Sequence, residues 1–353
     1  MFGIFGKRSK NIVGLDLGSS AIKILELKKK GDEYFAEKIG YSPISQEAIV
    51  EGAIMDAALV VETISGLLNQ LNIKNPNVGI SISGHSVIIK KITLPIMSQE
   101  ELAESIKWEA ESYVPFNIED VNLSYQYLGD EPDGQNMSLL LVVAKKDKVS
   151  DYTNVVTQCG KNPVLVDVDA FALQNCFEAI YGVSVGEKVA LVNIGASVMN
   201  FNVLIDGQSS FWRDINYGGN QYTEAIMKEL SLNTEQAEAL KKGETVAGHT
   251  LQEVIPTFNF VTEELSNELR KTLDFCCSSL QIDKIDRIVL SGGCSKVINL
   301  SSIVQQKLQT PVEILNPFSR IKYNESLYDP AWVNEIGPAM AIAAGLAIRE
   351  VGD

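Results

Sequence analysis

The chain has 353 residues, of which 45% are hydrophobic and 21% charged, and its 45 acidic residues outnumber the 30 basic ones to give a formal net charge of −15. This composition excludes a wholly disordered or collagen-like chain, and the length predicts about two domains or lobes. The acidic balance argues against a protein that coats nucleic acid or adsorbs directly to anionic lipid, since both need clustered Lys and Arg.

Membrane, disulfide and zinc chemistry are also disfavoured. The longest uncharged apolar stretch, residues 336–348, is shorter than the ~20 residues that a membrane span needs. Five cysteines without a CxxC pair or a paired histidine indicate reduced thiols. With only His85 and His249, a histidine-centred mechanism is not expected. The sequence thus predicts an acidic, soluble, cytoplasmic protein.

The chain opens with a strand, a Gly-Ser turn and a second strand over residues 12–27. A helix is predicted from about Asp56, because apolar residues recur at helical spacing as far as Leu71. A short strand follows at residues 78–82.

Residues 85–160 predict a compact α/β unit. Ser98 and Glu101 form a capping box that opens a helix through Tyr113. Three strands are expected at 85–94, 121–127 and 139–143, with a final helix over 151–158 that ends at Gly160.

The opening plan occurs again at residues 189–204, as a strand, a polar residue, Gly195, small residues and a second strand. One such hairpin is common, but two with matching phase are not expected by chance. The separation is too long for a solenoid, so the repeat predicts two similar lobes that face each other.

The first hairpin places Asp16 at the end of a buried strand, beside a turn of Gly18, Ser19 and Ser20. Such turns bind phosphate oxygens through backbone amides and hydroxyls, and Lys23 adds positive charge. Asp16 could hold Mg²⁺ through water. The alternative is a structural hairpin in which Asp16 caps the turn, and the segment alone does not decide between them.

Two further segments have unusually small residues. A strand at 288–291 leads into Gly292, Gly293 and Cys294 and then into a predicted helix, where glycines let a flat ring approach the backbone. A helix of small residues is predicted over 334–347 and is suited either to a hinge between lobes or to tight packing.

These motifs resemble the actin-like ATPase superfamily: two glycine hairpins for phosphates, a Gly-Gly loop for adenosine and two connecting helices. Within it, four segments look like the PilM family of type IV pilus assembly proteins, on the FtsA-like branch. They are residues 2–5, residues 108–116, residues 213–215 with Gly218 and Gly219, and residues 237–241.

The resemblance implies an α/β actin-like ATPase fold, with two duplicated lobes around a nucleotide cleft and an inserted α/β subdomain of the FtsA and PilM type. It divides the chain into a flexible N-terminal segment (1–9), a first lobe (10–84), an inserted partner-binding subdomain (85–160), the first lobe continued with a connecting helix (161–186), a second lobe with the adenosine-binding region (187–335) and a returning C-terminal helix (336–353).

The resemblance also implies ATP and Mg²⁺ as cofactors. Asp16, Gly18, Ser19, Ser20 and Lys23 would face the phosphates and the metal, opposite a clamp of Asn193, Gly195, Ala196 and Ser197. Gly219, Asn220, Glu264, Glu268, Lys271, Gly292, Gly293, Cys294 and Gly337 would surround the nucleoside, with the register at 264–271 ambiguous by a turn and a solvated charged face as the alternative there.

The implied partner is a PilN-like bitopic inner-membrane protein, whose basic cytoplasmic N-terminal peptide would bind between the first lobe and the inserted subdomain. The resemblance also admits other platform components, the assembly motor and a second copy of the chain as partners. It implies a role in twitching motility and a cytoplasmic location, peripheral to the inner membrane. The apolar residues 2–5, followed by Lys7 and Arg8, are either a frayed terminus or a partner or membrane-surface contact.

One residue departs from the family pattern. The second hairpin usually carries Asp where this chain has Asn193, which removes a negative charge near the metal and the attacking water. Asp167 and Asp169 are candidate general bases, or they only hold strand–helix geometry. We therefore expect an ATP-binding scaffold with weak or no turnover and no catalytic residue. The alternatives are an FtsA-like filament protein and an actin-fold small-molecule kinase.

Overall fold

A six-stranded sheet forms the first lobe. The computed structural model describes residues 11–183 and 185–352, so the predicted contact at residues 2–5 lies outside the described part of the chain. The sheet order is β10-β6-β1-β2-β3-β16. Its strands are β1 (Val13–Leu17), β2 (Ala21–Lys30), β3 (Glu33–Pro43), β6 (Asn77–Ile82), β10 (Asn162–Val168) and β16 (Lys322–Tyr323). A two-stranded ribbon, β4 (Ile49–Val50) and β5 (Ala53–Ile54), and helix α1 (Ala57–Gln70) connect β3 to β6.

A five-stranded sheet in the order β13-β12-β11-β14-β15 forms the second lobe. Its strands are β11 (Lys188–Ile194), β12 (Met199–Ile205), β13 (Gln208–Ile215), β14 (Arg287–Ser291) and β15 (Val312–Ile314), and its helices are α5 (Gly219–Leu230), α6 (Thr234–Lys241), α7 (Leu251–Leu280) and α8 (Leu300–Leu308). The antiparallel β11–β12 hairpin repeats the β1–β2 hairpin, and each first strand has a parallel neighbour, β14 or β6. The predicted duplication is therefore present as two equivalent hairpins.

The inserted module is a three-stranded antiparallel sheet covered by one helix. The sheet order is β7-β9-β8, with β7 (Val87–Pro95), β8 (Val121–Asp130), β9 (Asn136–Lys145) and helix α2 (Gln99–Glu111). The predicted capping box opens α2, since Ser98 and Glu101 satisfy each other's backbone amides. A separate apolar core that includes Ile92, Ile106 and Leu139 fills the space between helix and sheet.

Helix α3 (Lys146–Gln158) begins earlier than predicted and packs away from the module. Tyr152, Val155 and Val156 belong to the core that lies under α1 in the first lobe. The division of the chain into domains is still a proposal, and we would now group residues 146–158 with the first lobe.

Two helices lie between the sheets, α4 (Asp169–Tyr181) and α10 (Ala341–Ile348), and α9 (Pro330–Ile336) leads into the latter. The helix predicted over 334–347 is present, but a 3-10 turn at Gly337–Met340 interrupts it between α9 and α10, where Pro338 has no amide to donate. Within the described chain, the stretch Pro330–Ile348 is long and apolar enough to cross a membrane, but 67% of its most apolar window is buried in the fold.

The segment after Gly292 also differs from the prediction. A 3-10 turn occupies Gly293–Lys296, and α8 begins only at Leu300, so no α-helix starts at the glycine pair. The backbone of Gly292 has a φ of +85°, and a Cβ there would overlap the backbone of Ile194 on the neighbouring strand. Glycine is thus required at 292 for the two strand ends to lie side by side.

Candidate nucleotide site

A cavity of about 610 Å³ lies between the two hairpins and extends to the Gly292 loop. This volume is in the usual range for small-molecule sites. Thirteen of the residues predicted for the site line it: Asp16, Gly18, Ser19, Ser20, Lys23, Asn193, Gly195, Ala196, Ser197, Gly219, Gly292, Gly293 and Cys294.

The two hairpin turns meet across the cavity. The hydroxyl oxygens of Ser19 and Ser197 are 2.9 Å apart. Among the residues that the structure describes, the backbone amides of Ser19, Ser20, Ala196 and Ser197 donate to no other backbone group. Amides and hydroxyls left without backbone partners in opposed turns are the donors that an anionic group would need here.

Each hairpin carries one polar pair at the same register. Asp16 lies opposite Lys23, and its carboxylate is 3.0 Å from the ammonium group. Asn193 lies opposite Asn200 in the second hairpin, and its Nδ2 donates to Asn200 Oδ1 at 3.0 Å. The duplicated unit thus holds an ion pair on one side of the cavity and an amide pair on the other.

The ion pair of the first hairpin keeps Lys23 charged. Burial is the largest single effect and lowers the pKa of Lys23, but Asp16, Tyr41 and Asp169 together outweigh it, so the pKa lies above its usual value. No group of three or more potential metal-binding His, Cys, Asp or Glu side chains occurs in the described part of the chain. A metal at Asp16, if held there, would have to keep most of its ligands as water or ligand oxygens.

Of the two candidate bases, only Asp169 faces the cavity. Its carboxylate accepts a hydrogen bond from Ser81 Oγ at 2.6 Å. Burial raises the pKa of Asp169 to about 6, and the nearby charge of Asp16 adds to the effect. Asp167 instead pairs with Arg349 at 3.1 Å and is not among the lining residues.

The opposite end of the cavity is formed by the Gly292 loop and by α9. Burial raises the pKa of the Cys294 thiol to about 12, so this side chain is a neutral packing group. Trp332 and Ile298 add apolar surface at this end, and an ion pair between Lys296 and Glu335 lies beside them. The sequence alone did not indicate the contribution of Trp332.

Glu264, Glu268 and Lys271 are not among the residues that line the cavity, and Glu268 pairs with Lys271 on the surface of α7. The opposite face of α7 is the buried one, because Phe258, Thr262 and Leu265 pack against the second sheet. The contact of these three charges with the nucleoside stays a prediction, with a solvated face as its alternative.

Helix α6 supplies an ion pair, Glu238 and Lys241, that lines the cavity. The ammonium group of Lys241 donates to Glu238 Oε1 at 2.6 Å, to Thr223 Oγ1 at 2.7 Å and to the carbonyl of Gly219 at 3.1 Å. Gln46 of the first lobe donates to Glu238 at 3.3 Å across the cleft. A Glu and a Lys three residues apart in the segment 237–241 were the sequence signal for this pair.

The remaining two predicted residues lie behind the lining. Asn220 Nδ2 is 3.4 Å from Ser197 Oγ, while its buried Oδ1 has no hydrogen-bond partner in the structure. Gly337 packs against the side chain of Asn316 and not against the cavity. A buried amide oxygen without a partner beside the turns is consistent with a site that is completed by a ligand.

Comparison with known proteins identifies the family of the chain. The profile of the family described as "Type IV pilus assembly protein PilM" matches residues 14–351. Cell division protein FtsA of Buchnera aphidicola subsp. Acyrthosiphon pisum is 21% identical over 384 aligned positions, which cover 95% of this chain and 91% of that protein.

Two solved structures have the same fold. A PilM–PilN type IV pilus biogenesis complex contains a chain that superposes with a TM-score of 0.86 and 27% identity, covering 98% of this chain and 100% of that one. MreB5 of Spiroplasma citri bound to AMPPNP superposes with a TM-score of 0.51 and 12% identity, covering 95% and 94% of the two chains. The actin-like ATPase fold predicted from the sequence is thereby confirmed, and the chain belongs to the PilM family of type IV pilus assembly proteins.

Proposed function

We propose that this chain is a cytoplasmic scaffold of the type IV pilus assembly platform that binds ATP between its two lobes and turns it over weakly or not at all. The observation that carries the nucleotide part is the pair of opposed hairpin turns, which line one cavity and have backbone amides without backbone partners. The AMPPNP-bound MreB5 structure has the same fold, which supports a nucleotide as the ligand.

The residues of the cavity suggest separate roles toward ATP. The turns at Ser19 and Ser197 would donate to phosphate oxygens, and Lys23 would offset their charge. Asp16 would hold Mg²⁺ through water, which is how this ion is usually bound when few protein ligands are present. The apolar end at Ile298 and Trp332 would receive the base.

Weak turnover is expected from the amide pair of the second hairpin. Asn193 and Asn200 carry no charge and have no proton-accepting nitrogen, so neither can act as a general base. The Asp169 carboxylate faces the cavity with a pKa that burial raises to about 6, and we propose that its hydrogen bond from Ser81 commits it to holding α4 against β6. Binding without efficient activation of water is the consequence that we propose.

We expect purified protein to bind MgATP in calorimetry and to hydrolyse it at a rate close to the buffer background. Asp16→Ala should weaken MgATP binding, because the metal loses its carboxylate, and should leave the hydrolysis rate unchanged. A steady ATPase activity well above background that is abolished by Asp16→Ala would contradict weak turnover. Failure of the wild-type protein to bind any adenine nucleotide would refute the nucleotide part.

The proposed partner is the cytoplasmic N-terminal peptide of a PilN-like membrane protein, which would also place this chain at the inner membrane. The similar PilM chain was solved in a complex named for PilN, and that complex supports the assignment. The net charge of −15 favours a basic peptide. Extended peptides of this kind are recognised by main-chain hydrogen bonds and a few apolar anchors.

Titration of a labelled basic PilN-type peptide should therefore give saturable binding that weakens as salt is raised from 50 to ~300 mM, since charge attraction is screened over this range. A scrambled peptide of equal charge separates sequence recognition from simple attraction. Equal binding of the two peptides, or binding that does not depend on salt, would count against the assignment.

A further inference from the structure

The inserted module is attached to both lobes, in two different ways. Covalently it belongs to the first lobe, because it enters through Gly84 after β6 and returns through α3. Its other attachment is to β13, the edge strand of the second lobe. There the indole Nε1 of Trp212 donates to the carbonyl of Ile89 at 2.7 Å, and the backbone amide of Gly84 donates to Asp214 Oδ2 at 2.6 Å.

Asp214 also ends a chain of side-chain hydrogen bonds that starts at the cavity. Ser291 Oγ donates to Asn193 Oδ1 at 3.3 Å, and Asn193 Nδ2 donates to Asn200 Oδ1 at 3.0 Å. Asn200 Nδ2 then donates to Asp214 Oδ1 at 2.9 Å. We call these four residues the amide relay, and all of its donors point from β14 toward the module.

The direction of the amide relay explains the departure at position 193. Asn200 is only 3% exposed and turns its Nδ2 toward Asp214, so its Oδ1 requires a donor from the other side. An amide at position 193 supplies that donor, whereas a carboxylate would place a second acceptor against Asn200 Oδ1. Asparagine at position 193, which we expect to lower metal affinity in the cavity, is therefore the residue that the amide relay requires.

The amide relay also touches the cavity directly. Asn193 and Asn200 both line it, and Asn193 lies two residues before Gly195 of the second turn. A ligand that orders this turn therefore lies beside Asn193 and Asn200, the second and third members of the relay. The last member, Asp214, holds Gly84, which has a φ of +87° and is the entry point of the module.

We propose that the amide relay and the hydrogen bond from Trp212 to Ile89 together form a latch, which fixes the inserted module against the second lobe and couples its position to occupancy of the cavity. Asp214 and Trp212 are positioning residues in this latch. The latch itself rests on the hydrogen bonds above, and its coupling to ATP rests on the proposed function. By linkage, a partner that binds the latched module would then bind more tightly when the cavity is occupied, and ATP would gain the same factor.

Amide hydrogen exchange of the full-length protein tests the latch without any partner. Asp214→Ala removes both carboxylate oxygens, so neither the Gly84 amide nor Asn200 Nδ2 keeps its acceptor. We expect exchange at Gly84 to become about tenfold faster or more, as for the loss of a hydrogen bond to a charged group. Asp283→Ala, at an exposed site on the same lobe, should exchange at Gly84 like the wild type.

Protection of the buried strand β9 shows in the same data whether the module is still folded. Trp212→Phe is the second variant, since it keeps an aromatic, though smaller, side chain and removes the Nε1 donor to Ile89. It should speed amide exchange in β7 and leave β9 unchanged. If β9 loses protection in Asp214→Ala, the Trp212→Phe variant decides. Wild-type exchange at Gly84 in Asp214→Ala, or in β7 in Trp212→Phe where that variant decides, would overturn the latch.

Coupling is tested by adding saturating MgATP, with binding followed by calorimetry in the same buffer. We expect exchange at Gly84 to slow at least threefold in the wild type and to change less in Asn193→Asp, which breaks the relay at the cavity. If MgATP binds and the rate of amide exchange at Gly84 does not change, the coupling is refuted. Absence of MgATP binding would refute the proposed function instead, while Asp214→Ala would still decide the latch.

Discussion

Gly345→Ala is expected to lower the free energy of unfolding by about 4 kcal/mol or more, one of the largest effects available to a single methyl group. A Cβ at Gly345 would overlap the carbonyl oxygen of Ala172 on α4. The two helices are therefore in backbone contact at this point, and neither can move without disturbing the strands beside it. Gly14 of β1 makes the equivalent close approach to the carbonyl of Ala343 on the other side of α10.

Chemical unfolding followed by circular dichroism measures this effect, and α1 offers a matched control. A Cβ at Gly66 would meet no heavy atom within 4 Å. Gly66→Ala should therefore stabilise the protein by roughly 0.5–1 kcal/mol, as expected for alanine in an unstrained helix. If Gly345→Ala unfolds at the same denaturant concentration as Gly66→Ala, the packing of α4 against α10 is not as close as the structure has it.

This packing shows why the small-residue segment has both of the roles that the sequence left open. Ala343, Ala344 and Ala347 are almost fully buried between the two sheets, where larger side chains would force the lobes apart. The helix is thus tightly packed. Because it lies between the two sheets, any relative motion of the lobes must also move its contacts. Prediction from sequence identified the small residues but not the proline break that precedes them.

Local signals predicted the elements whose ends depend on neighbouring residues. Asp56 caps α1 by accepting from the Leu59 amide at 3.0 Å, and Ser98 begins α2 in the predicted capping box. The glycine turns placed both hairpins, because a Cβ at Gly195 or Gly18 would come within 3.0 Å of the carbonyl oxygen of Val198 or Ala21 across the turn. These features need no knowledge of the rest of the fold.

Contacts between distant segments could not be predicted in the same way. The bond between Asp214 and Gly84 joins residues 130 positions apart and has no local signature. The apolar periodicity of helix α7 indicates which of its faces is buried. It does not indicate whether α6 or α7 presents charged side chains to the cavity. The pair on α6 was visible as a Glu and a Lys three residues apart, yet so was the pair on α7.

Lys241→Met should weaken MgATP binding by about ten- to a hundredfold, whereas Lys271→Met should leave it unchanged. Lys241 holds the carbonyl of Gly219 and the side chains of Thr223 and Glu238 in the cavity wall, and only 14% of its side chain is exposed. Hydrogen bonds to charged groups contribute about 1.5–3 kcal/mol each, which sets the expected range. Calorimetric titration of both variants measures the difference.

The two lysines form a matched comparison, because each pairs with a glutamate three residues before it on a helix. Lys271 has 70% of its side chain exposed, so its ion pair is screened by water and its loss should cost little. Melting temperatures of both variants separate a binding effect from unfolding. If Lys271→Met loses affinity and Lys241→Met does not, the nucleoside contacts lie on α7 as the sequence first suggested, and the cavity wall at α6 is only structural.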